Sequence, residues 1–494
     1  MRSIAYRRWA GLCLLGSGLT GCNFAPDYHR PETESPAAYK ESAPEVTIGA
    51  GGSWQPARPA DAIARGAWWS MFGDEELDGL EAKVTDANQN LKAAFARFEQ
   101  ARDSSALARA QYYPTIGSNA SYTRQQISKT IANPRPVNLY NDSLFNIDIS
   151  YEVDLWGRIR NTVSGAEKRE QASAGDLASL DLSTHAELAS DYFSLRADDA
   201  QQSILDQTVD AYQKAYALTV RRHDGGAAAE QDVDQAKAQL ETAKTQAADV
   251  RLKRSQLEHA IAILIGVPPA EFDLAPKPLT ATPPGFDTGL PGSLVERRPD
   301  IAAAERRAAA ANADIGVVRA AFFPSLTLSA AGGFEAAMPG NLLNTPSRIW
   351  SLGPAFSLPI FDGGQRNAAV DQAIHAFDEA AADYRETVLE AFRDVEDNLA
   401  ALRQLSEESS SQTAAVVAAN RALNQAQLRY TGGLVTYLEV VTAQNTALQA
   451  QLSASDIAAR RMTASIALVK ALGGGWQADK DLDTDAIAKS AKGP

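Results

Sequence analysis

The chain has 494 residues, 45% of them hydrophobic, and a formal charge of -14 from 47 Lys and Arg against 61 Asp and Glu. That acidic balance, with no clustered basic tract, excludes a nucleic-acid surface. The two cysteines, Cys13 and Cys22, sit at the very start, so the rest of the chain cannot build a disulfide framework or a cysteine metal site.

The first segment, MRSIAYRRWAGLCLLGSGLTGC, sets Arg2, Arg7 and Arg8 ahead of a short apolar stretch that ends in small residues. This is the layout of a secretory signal over 1–21, too short and glycine-broken to span a membrane as a helix. Leu19-Thr20-Gly21-Cys22 resembles the lipobox of bacterial lipoproteins, which makes Cys22 the expected lipidated first residue of the mature chain. By the same resemblance, Asn23 rather than aspartate after it favours transport to the outer membrane. From residue 23 to about 67 come Pro26, Pro31, Pro36, Pro44, Pro56 and Pro59 with Gly49, Gly51 and Gly52. Such a stretch has no helical period, so 22–70 is expected to be an extended, lipid-anchored strap.

Helical pattern runs from near Asp74 to about Tyr113 and stops at RAQYYP, ending on Pro114. Thr115–Gln126 is a weak strand candidate. After it, Phe145, Ile147, Ile149, Tyr151, Val153 and Leu155 alternate without error against Asn146, Asp148, Ser150, Glu152 and Asp154, the period of a two-faced strand. From about Thr162 to Arg222 there is no proline and almost no glycine, so a very long helix is expected, closed by Gly225-Gly226. A heptad helix follows through Val233, Ala236, Leu240, Ala243, Ala247 and Val250, interrupted by Arg254.

The programme then repeats. RAAFFP ends on Pro324, an offset of 210 residues from Pro114. Ser325–Ala330 alternates, and Trp350, Leu352, Pro354, Phe356, Leu358 and Ile360 oppose Ser351, Gly353, Ala355 and Ser357. A second proline-free span runs from about Arg366 to Tyr430, and Gly432-Gly433 lies 207 residues beyond Gly225-Gly226. The second heptad repeats even the seam arginine, as Arg461. A near-constant offset marks duplication of one supersecondary unit: repeat 1 over 71–267 with a hairpin at 115–155, a proline-rich linker over 268–293, and repeat 2 over 294–476 with a hairpin at 325–360. The polar tail 477–494 is expected to be disordered. Double glycines between antiparallel helices are hairpin tips, where positive φ is needed.

Strands of about ten residues match a tilted crossing of a bilayer. Four strands cannot close, and an open edge in lipid leaves backbone groups unsatisfied. The edges must therefore pair with other copies, two copies giving eight strands and three giving twelve. The polar residues Asn146, Asp148, Ser150 and Glu152 are expected to line a wet interior, and Tyr112, Tyr113, Trp156, Phe322, Phe323, Trp350 and Phe361 an interfacial girdle.

The stretches GC-x-x-x-PDY-x-RP (Gly21 to Pro31), WW-x-x-F-x-D (Trp68 to Asp74), ERRPDI-x-AAE (Glu296 to Glu305), RAAFFP and KALGGGW (Lys470 to Trp476) resemble the outer membrane factor family, in its NodT-like lipoprotein branch serving resistance-nodulation-division (RND) efflux pumps. The resemblance implies an α+β membrane protein: a trimeric 12-stranded β-barrel, four strands per chain, continued by a long α-helical periplasmic barrel. It also implies a homotrimer in the cell outer membrane that contacts outer membrane lipids, a periplasmic adaptor protein and an inner-membrane RND pump. The family's periplasmic gate falls on Leu438, Glu439 and Thr442, with Asp232 as the counterpart of Glu439 in repeat 1. Many relatives carry aspartate where this chain has Thr442. Glu439 has a second reading, because Thr436-x-x-Glu439 has the spacing of a helix capping box. Gly225, Gly226, Gly432 and Gly433 are the expected adaptor-contacting tips.

Five histidines are scattered without ligand spacing, and no nucleophile elbow, phosphate loop or HExxH occurs, so no catalytic residue, metal or cofactor is expected. The function expected is a passive exit duct for small molecules. Its rivals are the duct of a type I protein secretion system and a surface-anchored helical adhesin, the latter having no need of inward polar strands.

Overall fold

The computed structural model describes residues 23–41, 67–128, 130, 139–284, 297–476, 484 and 487. Cys22 and the signal segment lie outside the described residues, as does most of the tail. After a 3₁₀ turn at Trp68–Phe72 come α1 (Glu75–Ala87), α2 (Gln89–Ala110), β1 (Thr115–Gln126), β2 (Leu139–Val153), α3 (Arg158–Asp224) and α4 (Glu230–Leu264). The second half runs α5 (Pro299–Ala320), β3 (Ser325–Ala336), β4 (Arg348–Ser357), α6 (Gln365–Thr431) and α7 (Tyr437–Ala471). All corresponding elements but β2 and β4, of 15 and 10 residues, match in length: 22 residues in α2 and α5, 12 in β1 and β3, 67 in α3 and α6, and 35 in α4 and α7.

At 1.5 Å per residue, α3 and α6 each reach roughly 100 Å. α3 starts at Arg158, ahead of the expected Thr162, because a left-handed glycine and an upstream aspartate start the helix early. Gly157 (φ 78°) turns the chain, and Asp154 accepts from the backbone N–H of Ile159 and Arg160 at 3.1 and 2.9 Å. Gly364 (φ 93°) and Asp362 do the same for α6, the carboxylate accepting from Gly364 and Arg366 at 3.1 and 3.4 Å. Carboxylates at helix starts satisfy orphan donors and the positive end of the dipole.

The heptad positions Ala236, Leu240, Ala243, Ala247 and Val250 are buried in α4, where small residues let helix axes approach closely. The repeated seam arginine has two fates. Arg254 pairs with Asp199 at 2.7 Å and Glu258 at 3.2 Å and donates to the Leu274 carbonyl, whereas Arg461, among the described residues, reaches only the Ser409 hydroxyl, at 3.4 Å. The first part of the proline-rich linker is pinned, not free: Lys277 N–H donates to Asp199 and Leu279 N–H to the Arg196 carbonyl, at 2.9 and 3.0 Å.

The two hairpins join into one four-stranded antiparallel sheet in the order β1-β2-β3-β4. β2 runs back to Leu139, before its alternating stretch, because β1 offers a partner for every residue to Gln126. β4 covers Arg348–Ser357 and stops short of Ile360, since Pro359 has no N–H with which to extend the ladder. β2 pairs with β3 from Ser143 opposite Ala336 to Val153 opposite Leu326, so the duplicated halves meet edge to edge.

The main core lies where α1, α3, α4 and α7 converge, around Trp68, Leu77, Leu188, Tyr192, Phe193, Ile261, Met462 and Ile466. Residues 23–41 run extended along α5 and α6. The Tyr28 hydroxyl donates to Glu305 at 2.7 Å, Arg30 Nε to the Tyr384 hydroxyl at 2.6 Å, and the N–H groups of Lys40 and Glu41 to Glu396 at 2.7 and 2.9 Å. Tyr39 is buried with Ile301, Tyr384 and Val388. Of the tail, Ile487 packs against Phe98 and Ala174. Among the described residues no helix is long and apolar enough to cross a membrane.

Candidate functional site

The sheet register sorts its side chains into two faces. Asn146, Asp148, Ser150 and Glu152 are opposite Gly333, Ala331, Ser329 and Thr327 on β3, and Asn119, Gly117 and Thr115 stand opposite the first three on β1. Directly paired residues share a face, so this stretch of the face is polar or small; Asp142 and Glu335 also lie on it, joined by the larger Tyr140, Leu144 and Ile349 toward the end away from the helices. Those two carboxylates were missed in the sequence because they precede or follow the clean alternation. Glu152 is held by Arg158 through two hydrogen bonds of 2.8 and 2.7 Å, so it is an ion pair rather than a free lining carboxylate.

The other face carries Ile116, Tyr122, Phe145, Ile147, Ile149, Leu328, Trp350, Leu352 and Phe356, all exposed. Each such side chain gains roughly 1.5–3 kcal/mol on leaving water, so nine together demand an apolar medium or partner. The expected girdle divides into two belts. Trp156, Phe322, Phe323 and Phe361 mark the helix end of the sheet. There Phe24 stacks on Phe323 at 4.3 Å, Trp156 lies 4.9 Å from Phe323, and Trp156 Nε1 donates to the Pro324 carbonyl at 2.7 Å. Trp350, opposite Gly332, and Tyr122, opposite Ser143, mark the far end.

At the opposite pole the double glycines close both helical hairpins by one motif. Gly226 and Gly433 take φ 74°. Ala227 N–H reaches the Arg222 carbonyl at 2.7 Å, and Leu434 N–H the Arg429 carbonyl at 2.9 Å. These are the 6→1 bonds of the Schellman motif. The two hairpins touch beside their tips: the Arg222 guanidinium sits 4.7 Å over the Tyr430 ring, which packs on Tyr437 at 5.3 Å. Burial pushes the Tyr437 hydroxyl up to about 12, with Tyr430, Tyr212 and the Asp232 carboxylate adding to it. Asp232 thus lies within electrostatic reach of the start of α7.

The capping-box reading of Glu439 does not hold. Thr436 is the N-cap residue of α7, but its side chain makes no capping hydrogen bond. The Glu439 carboxylate turns instead to Arg429, 3.3 Å away across the glycine turn, both side chains about half exposed. Leu438 is 56% exposed, and the Thr442 hydroxyl folds back on the Leu438 carbonyl at 2.9 Å.

Between the poles sits an ionic cluster whose buried pair, Glu81 and His185, sequence spacing did not reveal, because the two come from different helices. His185 Nδ1 lies 2.5 Å from Glu81 and Nε2 3.5 Å from Asp181, with Trp69 stacked on the ring at 4.4 Å. Burial pushes Glu81 up to about 7 against the pull of His185. Burial also opposes the imidazolium, but hydrogen bonds and charge from Asp181 and Glu81 outweigh it and hold His185 up at about 9. Among the described residues no group of His, Cys, Asp and Glu is arranged to hold a metal.

The family model described as outer membrane efflux protein matches the chain twice, over residues 82–267 and 290–474. The chain belongs to this family. The two matched segments coincide with the two structural halves. Among relatives of this outer membrane efflux protein, the toluene efflux pump outer membrane protein TtgF of Pseudomonas putida is 31% identical over 466 residues, covering 94% of this chain and 96% of the relative. Outer membrane protein OprJ of Pseudomonas aeruginosa is 31% identical over 476 residues, 95% of this chain and 96% of the relative. The solved CmeC outer membrane channel of Campylobacter jejuni aligns with a TM-score of 0.85 at 25% identity, covering 96% of this chain and 98% of that one.

Proposed function

We propose that this protein is the passive exit duct of a tripartite efflux system of the RND type, carrying small molecules from a periplasmic pump assembly across the outer membrane. The observation that carries the reading is the two-faced sheet with open edges at β1 and β4, set on 100 Å-scale helices. A polar face, an apolar face and unpaired edges make sense together only in a closed barrel in lipid. Three copies give twelve strands, the homotrimer usual in this family, and α3, α4, α6 and α7 continue the barrel as a periplasmic tunnel. No step of the transport needs a reacting group in this chain. The inner-membrane pump supplies the energy, and the adaptor bridges to the tips at Gly225, Gly226, Gly432 and Gly433, where Leu434 is 75% exposed.

The tunnel end is gated by Leu438, Glu439, Thr442 and Asp232. Closure is supported by two weak links near the tips, Arg429 with Glu439 and Arg222 with Tyr430. Exposed ion pairs contribute about 0.2–1 kcal/mol and cation–π contacts about 0.5–2, a scale that adaptor binding can overcome. Lipidation at Cys22 is supported by its neighbours: Asn23 accepts from Asn161 Nδ2 at 2.9 Å, and Phe24 stacks in the aromatic belt at the helix end of the sheet. An acyl chain there would enter the periplasmic leaflet, at about 0.8 kcal/mol per buried methylene.

The test is conductance in planar bilayers. Purified protein should form discrete pores, and Arg429→Gln should raise their open time. Asp142, Asp148 and Glu335 make the sheet interior acidic, so the pores should prefer potassium over chloride, and Asp148→Asn with Glu335→Gln should lower that preference. Absence of pores in both the wild type and the opening variant would sink the duct.

A further inference from the structure

All six charged residues of the four strands are segregated by face, and the segregation has a direction. Asp142, Asp148, Glu152 and Glu335 lie on the polar face, whereas Arg124 and Arg348 lie on the apolar one: Arg124 is opposite Asn141 and Arg348 opposite Phe334, within the register that carries Ile116, Phe145 and Trp350 outward. Both arginines are exposed, and neither makes an ion pair among the described residues. Both also stand at the end of the sheet away from the helices, Arg124 near the close of β1 and Arg348 as the first residue of β4. Each sits one same-face step beyond an outward aromatic, Arg124 beyond Tyr122 and Arg348 beyond Trp350. Aromatics of that kind mark the depth at which hydrocarbon gives way to headgroups. A guanidinium one step further out is at headgroup level, where it escapes the cost of burial in hydrocarbon and its planar donor fork meets phosphate oxygens.

The two arginines occupy the two edge strands. When copies close into a barrel, β4 of one copy adjoins β1 of the next, so Arg348 of one and Arg124 of its neighbour border the same seam. We propose that each intersubunit seam holds a phosphorylated lipid headgroup of the outer leaflet between these two guanidinium groups, making the lipid a clamp across the subunit boundary. The proposal rests on the barrel reading above. Charge complementarity selects the occupant: two cations on a face with no other charged residue fit an anionic headgroup whose acyl chains lie along Leu352, Phe356 and their neighbours.

The full-length protein and the Arg124→Gln/Arg348→Gln variant would be reconstituted into phosphatidylcholine vesicles with and without bisphosphorylated lipid A, then followed by thermal dissociation of the oligomer and native mass spectrometry. The wild type should be stabilised by several degrees by lipid A and retain up to three molecules per trimer. The variant should lose most of that shift and retain roughly ten-fold less or below, while the Arg→Lys pair keeps part of both. Equal stabilisation and retention in wild type and Gln variant, with normal pores, would overturn the clamp alone. The same follows if inorganic phosphate stabilises the wild type as well as lipid A does. Failure of the wild type to insert would sink the barrel reading and the clamp with it; should only the Gln variant fail, the Arg→Lys pair serves as the comparison, and equal stabilisation and retention in it and the wild type with and without lipid A would overturn the clamp.

Discussion

The helices α3 and α6 have the same length and the same left-handed glycine before the first turn, yet α3 buries Glu170, His185, Arg196 and Asp199 while the buried residues of α6 are all uncharged. The cause is neighbourhood. α3 packs against α1, α2, α4, α5 and α7, whereas α6 packs against α5 and α7. At the offset of 207 residues, His185 corresponds to Phe392, Asp199 to Ser406 and Arg196 to Arg403. Arg196 is locked between Glu76 and Asp199 at 2.8 and 2.9 Å, while Arg403 reaches Glu41 of the strap at 2.5 Å. Duplication preserved what local sequence controls, namely length, hinge and turn. It did not preserve the polar contents of the core, because the two copies ended in different surroundings with different numbers of faces to cover.

The comparison can be broken most severely at the closing glycines. A Cβ on Gly473 would overlap the Arg297 carbonyl oxygen and one on Gly266 would stand 2.6 Å from that of Ala87, with φ 90° and 71°. Gly473→Ala should cost about 3–5 kcal/mol and Gly266→Ala less, read as loss of folded yield and of thermal midpoint. Next come the seam arginines. Arg254→Leu removes a partner of the buried Asp199 and should cost roughly 3 kcal/mol. Arg461→Leu loses one long hydrogen bond and should cost under ~1 kcal/mol, so equal losses in denaturant unfolding would contradict the asymmetry.

The ionic cluster gives a pH signature confined to the first half. Both folded pKa values are raised, Glu81 from 4.5 to about 7 and His185 from 6.5 to about 9. A raised group contributes stability present below its unfolded value and lost as pH climbs through the folded one. Stability should therefore fall across pH 4.5 to 7 through Glu81 and across 6.5 to 9 through His185. His185→Gln should flatten the upper window, and an unchanged slope there would exclude the pair as its source. The smallest effect belongs to Thr436→Ala. With no capping bond to lose, it should change stability by only a few tenths of a kcal/mol, against ~1 for a working cap.

Much of this architecture is legible in residue order because its causes are local. Proline-free spans make the long helices, GG pairs make the tips, and period two sorts the strand faces. The Glu439 capping box shows where local spacing misleads: Thr436 and Glu439 have the right separation, but Arg429 across the turn offers the carboxylate a charged partner. The His185 cluster was not legible, since Glu81 and His185 are separated by 104 residues and nothing in either neighbourhood announces the other.

By itself, then, the sequence determined the doubled programme, the element types and the polarity of each strand face, all set by backbone conformation and nearest neighbours. Only the tertiary structure decided that the two hairpins share one sheet, which carboxylates stay free and which are paired, and that the strand arginines, on opposite edge strands, stand at the same end of the apolar face. Those outcomes depend on which distant segments are brought side by side, and their energies do not exist until the chain has packed.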